Sequence, residues 1–208
     1  MRGISRHIAN GGGELSGSIG LIESAFEKAT RFAVEDLNAS NIDVVFRASS
    51  SGVIPEIGVG GLADGSSYIT VCLDPGSGKI DEMSLLASLL HEFHHCMRFR
   101  ELGHEGGNPG EALICEGAAC LYEEQRTGRK PVYADVALDE DSVKVAMSKL
   151  HETEYDYCKW FFGTGSMVRW FGYALGYRLC KAYSEQTGRT ASEMVNVPAD
   201  KVLKVSSA

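Results

Sequence analysis

The stretch Asp81-Glu82-Met83-Ser84-Leu85-Leu86-Ala87-Ser88-Leu89-Leu90-His91-Glu92-Phe93-His94-His95 decides how the rest of the chain is read. Leu85, Leu86, Leu89, Leu90 and Phe93 recur at helical spacing and form a broad apolar stripe. Asp81 or Ser84 can cap the start, the turn-rich Asp74-Pro75-Gly76-Ser77-Gly78 precedes it, and Gly103 supplies a stop after Arg98 and Arg100. On a helix His91 and His95 stand nearly above one another, about 6 Å apart along the axis, so two imidazoles can hold one metal ion. Glu92 falls near the same side, where a carboxylate can take a proton from a metal-bound water. His94 could replace either outer histidine, but the i,i+4 pair with Glu92 alongside is the better bite. Burying two imidazoles and a carboxylate at the end of an apolar helix is costly without a partner, and a metal supplies one.

A catalytic zinc takes three protein ligands and leaves a fourth position to water. The segment Pro109-Gly110-Glu111-Ala112-Leu113-Ile114-Cys115-Glu116-Gly117-Ala118-Ala119-Cys120-Leu121-Tyr122 predicts a second helix that opens on turn residues and ends near Gly128. Glu116 sits there among small and apolar residues, an odd place for a free carboxylate, and is the expected third ligand. Two alternatives stand beside it. Glu116 could be a solvated charge on a two-faced helix, and Cys115 or Cys120 could offer a thiolate, although neither belongs to a CxxC pair.

His91-Glu92-Phe93-His94-His95 followed by Glu116-Gly117-Ala118-Ala119 resembles the gluzincin branch of zinc peptidases, which includes thermolysin-like enzymes and zinc aminopeptidases. The chain also resembles a family of small predicted zinc-dependent proteases, known mainly as a domain of unknown function. Four ordered blocks carry that likeness over roughly residues 40 to 202. They are Gly58-Val59-Gly60-Gly61 leading into Tyr68-Ile69-Thr70-Val71, the His91 block, the Glu116 block, and Trp160-Phe161-Phe162-Gly163 with Gly172-Tyr173-Ala174-Leu175-Gly176-Tyr177. The resemblance implies a zincin-like fold and one Zn²⁺ per chain on His91, His95 and Glu116. There are two departures. Cys120 stands where thermolysin-like enzymes place an Asp that braces a zinc histidine, and Gly58-Val59-Gly60-Gly61-Leu62 lacks the Glu with which aminopeptidases grip the substrate amine.

The remaining sequence is compatible with such a protein. At 208 residues, 44% of them apolar and 23% charged, the chain reads as a single domain over residues 19–208 with a flexible arm at 1–18. A formal charge of −8 argues against nucleic-acid or anionic-membrane partners, and no apolar run approaches membrane-spanning length. The polar, Gly/Ser-rich N-terminus shows no signal peptide, and six scattered Cys in mostly apolar surroundings fit reduced thiols, so the expected location is cytoplasmic. Oligomeric state is not readable. Ile19 to Leu37 predicts an amphipathic helix with Ile22, Phe26, Ala29, Ala33 and Leu37 on one stripe, while Asp43–Arg47 and Ser67–Leu73 predict strands joined through a Gly-rich bend at 58–61. The C-terminal half reads as helical near 139–151 and 168–187, with a Trp/Phe-rich turn at 160–163. Strands first and helices afterwards indicate α+β.

Peptide hydrolysis also needs a donor to the developing oxyanion. Tyr173 is the first candidate and Tyr177, one helical turn on and in step with Gly172 and Gly176, the second; Tyr155 and Arg169 remain open, as does plain packing of both tyrosines. His104 is a candidate substrate contact or a solvated loop residue. Gly58, Gly60 and Gly61 would let a peptide backbone approach without side-chain clash and so bind substrate. The expected function is a zinc peptidase, endopeptidase-like, with Glu92 as general base. The alternative is a non-catalytic zinc-binding or interaction module on the same scaffold.

Overall fold

The structure, a computed structural model, describes residues 3–103 and 106–206, so the expectation placed on His104 lies outside the described residues. It is α+β, with a four-stranded sheet and seven α-helices among the described residues. The chain divides into two compact units, Met1–Arg100 and Glu101–Ala208.

The first unit holds the sheet. Its strands are β1 (Ile4–Ala9), β2 (Ile42–Ala48), β3 (Val59–Ala63) and β4 (Tyr68–Leu73), in the order β1-β2-β4-β3. β1, β2 and β4 run parallel, Val44 pairing with Arg6 on one side and Ile69 on the other, while β3 runs antiparallel to β4 with Gly61 opposite Val71. Helix α1 (Ile19–Leu37) makes the β1–β2 crossover and closes on Asn38, whose left-handed backbone donates its N–H to the Ala33 carbonyl. The stripe expected on α1 is buried, and Phe26 meets Phe46 of β2 edge-on at 6.3 Å. Helix α2 (Glu82–Leu102) follows β4; Asp81 caps it by accepting the Ser84 N–H at 2.7 Å. From Ser88 to Arg98 every residue of α2 is buried. That is the signature of a helix covered on all sides rather than on one stripe.

Two parts of this unit depart from the sequence reading. The polar start of the chain contributes a strand at Ile4–Ala9, and Leu15 is fully buried. Its pairing groups come from the backbone, which a hydrophobicity pattern does not report. The bend expected at residues 58–61 is mostly strand β3, which makes β3 the sheet edge and leaves β4 paired on both sides.

The second unit is helical: α3 (Pro109–Thr127), α4 (Glu140–Met147), α5 (Tyr157–Phe162), α6 (Phe171–Thr187) and α7 (Ala199–Ser206). Asn108 caps α3 through the Glu111 N–H, Pro109 takes its first turn, and left-handed Gly128 ends it. The tightest packing is between α3 and α6. A Cβ added to Gly117 would stand 2.1 Å from the Gly176 backbone, and one on Gly176 would stand 2.1 Å from the Leu113 carbonyl oxygen. Gly117 of α3 therefore serves its approach to α6.

Candidate metal centre

Helix α2 brings His91 and His95 together as their spacing requires. Each offers a ring nitrogen, these two nitrogens lie within 4.8 Å of each other, and the rings meet edge-on with centroids 4.7 Å apart. Both imidazoles are buried, and His95 stacks on Phe99 at 5.7 Å, which limits its rotation. His94 between them is fully buried, as is Arg98 one turn further on. His7 and His151 are exposed, His7 pairing with Asp43.

Glu92 is 6% exposed, and its carboxylate meets the edge of the sheet. Its Oε2 accepts the Ala63 backbone N–H at 2.7 Å. In β3 the groups of Gly58 and Asp64 pair with the β4 side, through Asp74 and Tyr68, so by alternation those of 59, 61 and 63 point to the open edge. Val59 is covered there by the Ile54 N–H, and Ala63 by Glu92. A Cβ on Gly61 would lie 2.4 Å from Glu92 Cγ, so that glycine makes the room Glu92 occupies. The buried charge of Glu92 is also felt by Cys96: burial first, then Glu92, pushes its thiol up to about 12.

The three glycines expected to admit substrate thus each face their own chain. A Cβ on Gly60 would meet the Gly52 carbonyl oxygen at 2.2 Å, and one on Gly58, whose φ is +69°, would meet Ser77 Oγ at 2.4 Å. Their smallness answers to internal packing.

In the second unit Glu116 sits half-buried on α3, its Oε1 accepting the Tyr157 hydroxyl at 2.8 Å. Tyr157 opens α5 behind the Asp156 cap, stacks on Phe161 at 4.3 Å, and has Tyr173 beside it. Burial, and after it the Glu116 charge, drives the Tyr157 phenol well above its ordinary range, so it stays a donor. Sequence reading missed Tyr157. The available signal is Asp156 ahead of an aromatic run, the pattern of a capped short helix, where the sequence reading expects only a turn. Tyr173 belongs to this cluster, against Phe161 at 5.1 Å and Tyr133 at 5.0 Å. Tyr177 does not: its hydroxyl donates to Glu124 at 2.7 Å and accepts from Lys181, about 12 Å along α3 from Glu116 by helical rise. Tyr155 donates to the Gly106 carbonyl, and Arg169 lies over the Trp170 ring. Cys115 and Cys120 are buried on α3.

Two imidazole nitrogens one turn apart on α2 suit zinc, and so does the kind of carboxylate that Glu116 offers on α3, held by a neutral donor. No helix among the described residues is long and apolar enough to cross a membrane. Residues 21–204 match the family profile described as Predicted Zn-dependent protease (DUF2268). No curated protein and no solved structure matches the chain.

Proposed function

The chain belongs to this family of predicted Zn-dependent proteases, and from that premise we propose that it is a zinc peptidase of endopeptidase type on a zincin-like scaffold. His91, His95 and Glu116 hold one zinc ion in this reading. The observation that carries it is Glu92: a carboxylate buried beside a facing imidazole pair and fastened to a sheet edge. A purely structural zinc site has no need of such a group.

When bound, zinc supplies a Lewis acid that polarises the scissile carbonyl and lowers the pKa of water. Glu92 takes the proton released as water attacks and delivers it to the departing amine. The Ala63 N–H keeps the carboxylate aimed during this exchange. Tyr173, beside Tyr157, is the donor assigned to the oxyanion, with Tyr177 second because its hydroxyl already serves Glu124 and Lys181. The substrate is an extended peptide that adds to the open edge of β3 through the outward backbone groups at Gly61, while Gly58 and Gly60 turn their own groups to β4. An extended strand binds along its length, which favours cleavage within a chain.

Elemental analysis of protein purified without chelator tests the metal, and near-stoichiometric zinc that drops sharply in Glu116→Ala is expected. A quenched-fluorescent peptide library tests the chemistry. Glu92→Gln should keep its zinc and lose hydrolysis by about 10²–10⁴-fold, the range general-base removal spans. Stoichiometric zinc with no hydrolysis of any peptide would favour the non-catalytic module instead.

A further inference from the structure

A metal-binding carboxylate on a long side chain needs something to hold it, and Glu116 has such a partner. The Tyr157 hydroxyl reaches Oε1 at 2.8 Å. The hydroxyl is itself fixed. Its ring stacks on Phe161 at an interplanar angle of 16° and meets Phe162 edge-on at 5.9 Å. Phe161 is pinned in turn by α6, because a Cβ on Gly172 would come within 2.6 Å of its ring. The short helix carrying Tyr157 is closed at both ends, by Asp156 accepting the Lys159 N–H and by left-handed Gly163. The base of Glu116 is equally constrained by the Gly117–Gly176 crossing.

We propose that Tyr157 is a positioning residue that acts through Glu116, and that this pair sets how tightly the site holds zinc. The inference rests on Glu116 being a ligand. A phenol suits the task because it donates a charge-assisted hydrogen bond without bringing a positive charge to compete with the cation. With one carboxylate oxygen engaged by Tyr157, Glu116 is biased towards presenting a single oxygen to the metal. Partners of this kind orient ligands and raise metal affinity at many metal sites.

The test is a double-mutant cycle on the full chain, with zinc affinity read by chelator competition. Tyr157→Phe keeps the ring and removes the hydroxyl, and should weaken zinc about 10–100-fold. In the Glu116→Ala background the same change should move affinity by less than about twofold, because its route to the metal is gone. A second readout is the visible spectrum of the Co²⁺-loaded protein, whose bands report ligand geometry and should shift in Tyr157→Phe even if that variant melts early. Unchanged affinity and spectrum in Tyr157→Phe would overturn the proposal. So would an equal loss in both backgrounds, which would mark Tyr157 as general packing. If Glu116→Ala bound zinc as tightly as the unaltered chain, the ligand assignment would fail first and take this inference with it.

Discussion

Ala63 donates its backbone N–H to Oε2 of Glu92 at 2.7 Å, tying the edge of the sheet to the helix that carries His91 and His95. The donor sits on the open side of β3, where a further strand would pair. That backbone group orients the proposed base. The contact depends on Gly61, because a side chain there would occupy the volume of Glu92.

Gly61→Ala should therefore damage chemistry while sparing the metal. Its Cβ would fall 2.4 Å from Glu92 Cγ and 2.7 Å from Oε1, forcing the carboxylate to move. A displacement near 1 Å at a reacting group can cost about 10²-fold in rate. Zinc content and turnover measured on the same preparation would check this, and undiminished turnover would refute the role assigned to Gly61.

At the α3–α6 crossing the expected effect is on stability. Gly176→Ala would drive a methyl group to 2.1 Å from the Leu113 carbonyl oxygen, backbone against backbone, where neither helix can yield cheaply. Overpacking of this kind costs about 1–3 kcal/mol, and a protein of this size loses about 2–4 °C in Tm for each kcal/mol. Gly20→Ala on α1 is the control, since a Cβ there meets nothing within 4 Å. Equal Tm values for Gly176→Ala and Gly20→Ala would mean that the two helices cross more loosely than these distances require.

Thiol chemistry should separate one cysteine from the rest. Of the six cysteines Cys158 is exposed, while Cys72, Cys96, Cys115, Cys120 and Cys180 are buried. Thiolate formation and access control alkylation. At pH 8 the native protein should lose one thiol quickly to iodoacetamide, and the remainder only in denaturant. Rapid loss of several would contradict the burial.

Alkaline pH should weaken the fold. Burial raises Cys96 from an ordinary value of 9.0 to about 12, and raises the Tyr133 and Tyr157 phenols as well. The folded state then keeps protons that the unfolded chain releases. This contribution is fully present below about pH 9 and is lost as pH climbs from there towards about 12. Urea midpoints taken between pH 8 and 11 should fall, and Cys96→Ala should fall less steeply. A flat profile would mean that the buried thiol and phenols hold their protons no more tightly in the folded state than in the unfolded one.

Local signals were enough for several elements and for the pairing of two imidazoles on α2. The apolar stripe of α1 and the turn chemistry around α3 gave their bounds, because caps and periodicity act within one turn. His91, His95 and Glu92 were legible for the same reason, since their relation is a helical repeat. Residues 4–9 and 59–63 were missed as strands because polar and glycine-rich segments owe their place to pairing with distant backbone. The same limit hid Tyr157, which reaches Glu116 across 41 residues, and sent Tyr177 to Glu124 rather than to Glu116. The glycines at 58, 60 and 61 could be read only as permissive, and whether the freed volume belonged to substrate, to chain or to Glu92 was decided by the packing of β3. Sequence determined which side chains are candidates for the proposed chemistry, through short-range helical geometry. Tertiary structure alone decided which backbone donors and phenols hold them, because those contacts join groups that no local pattern relates.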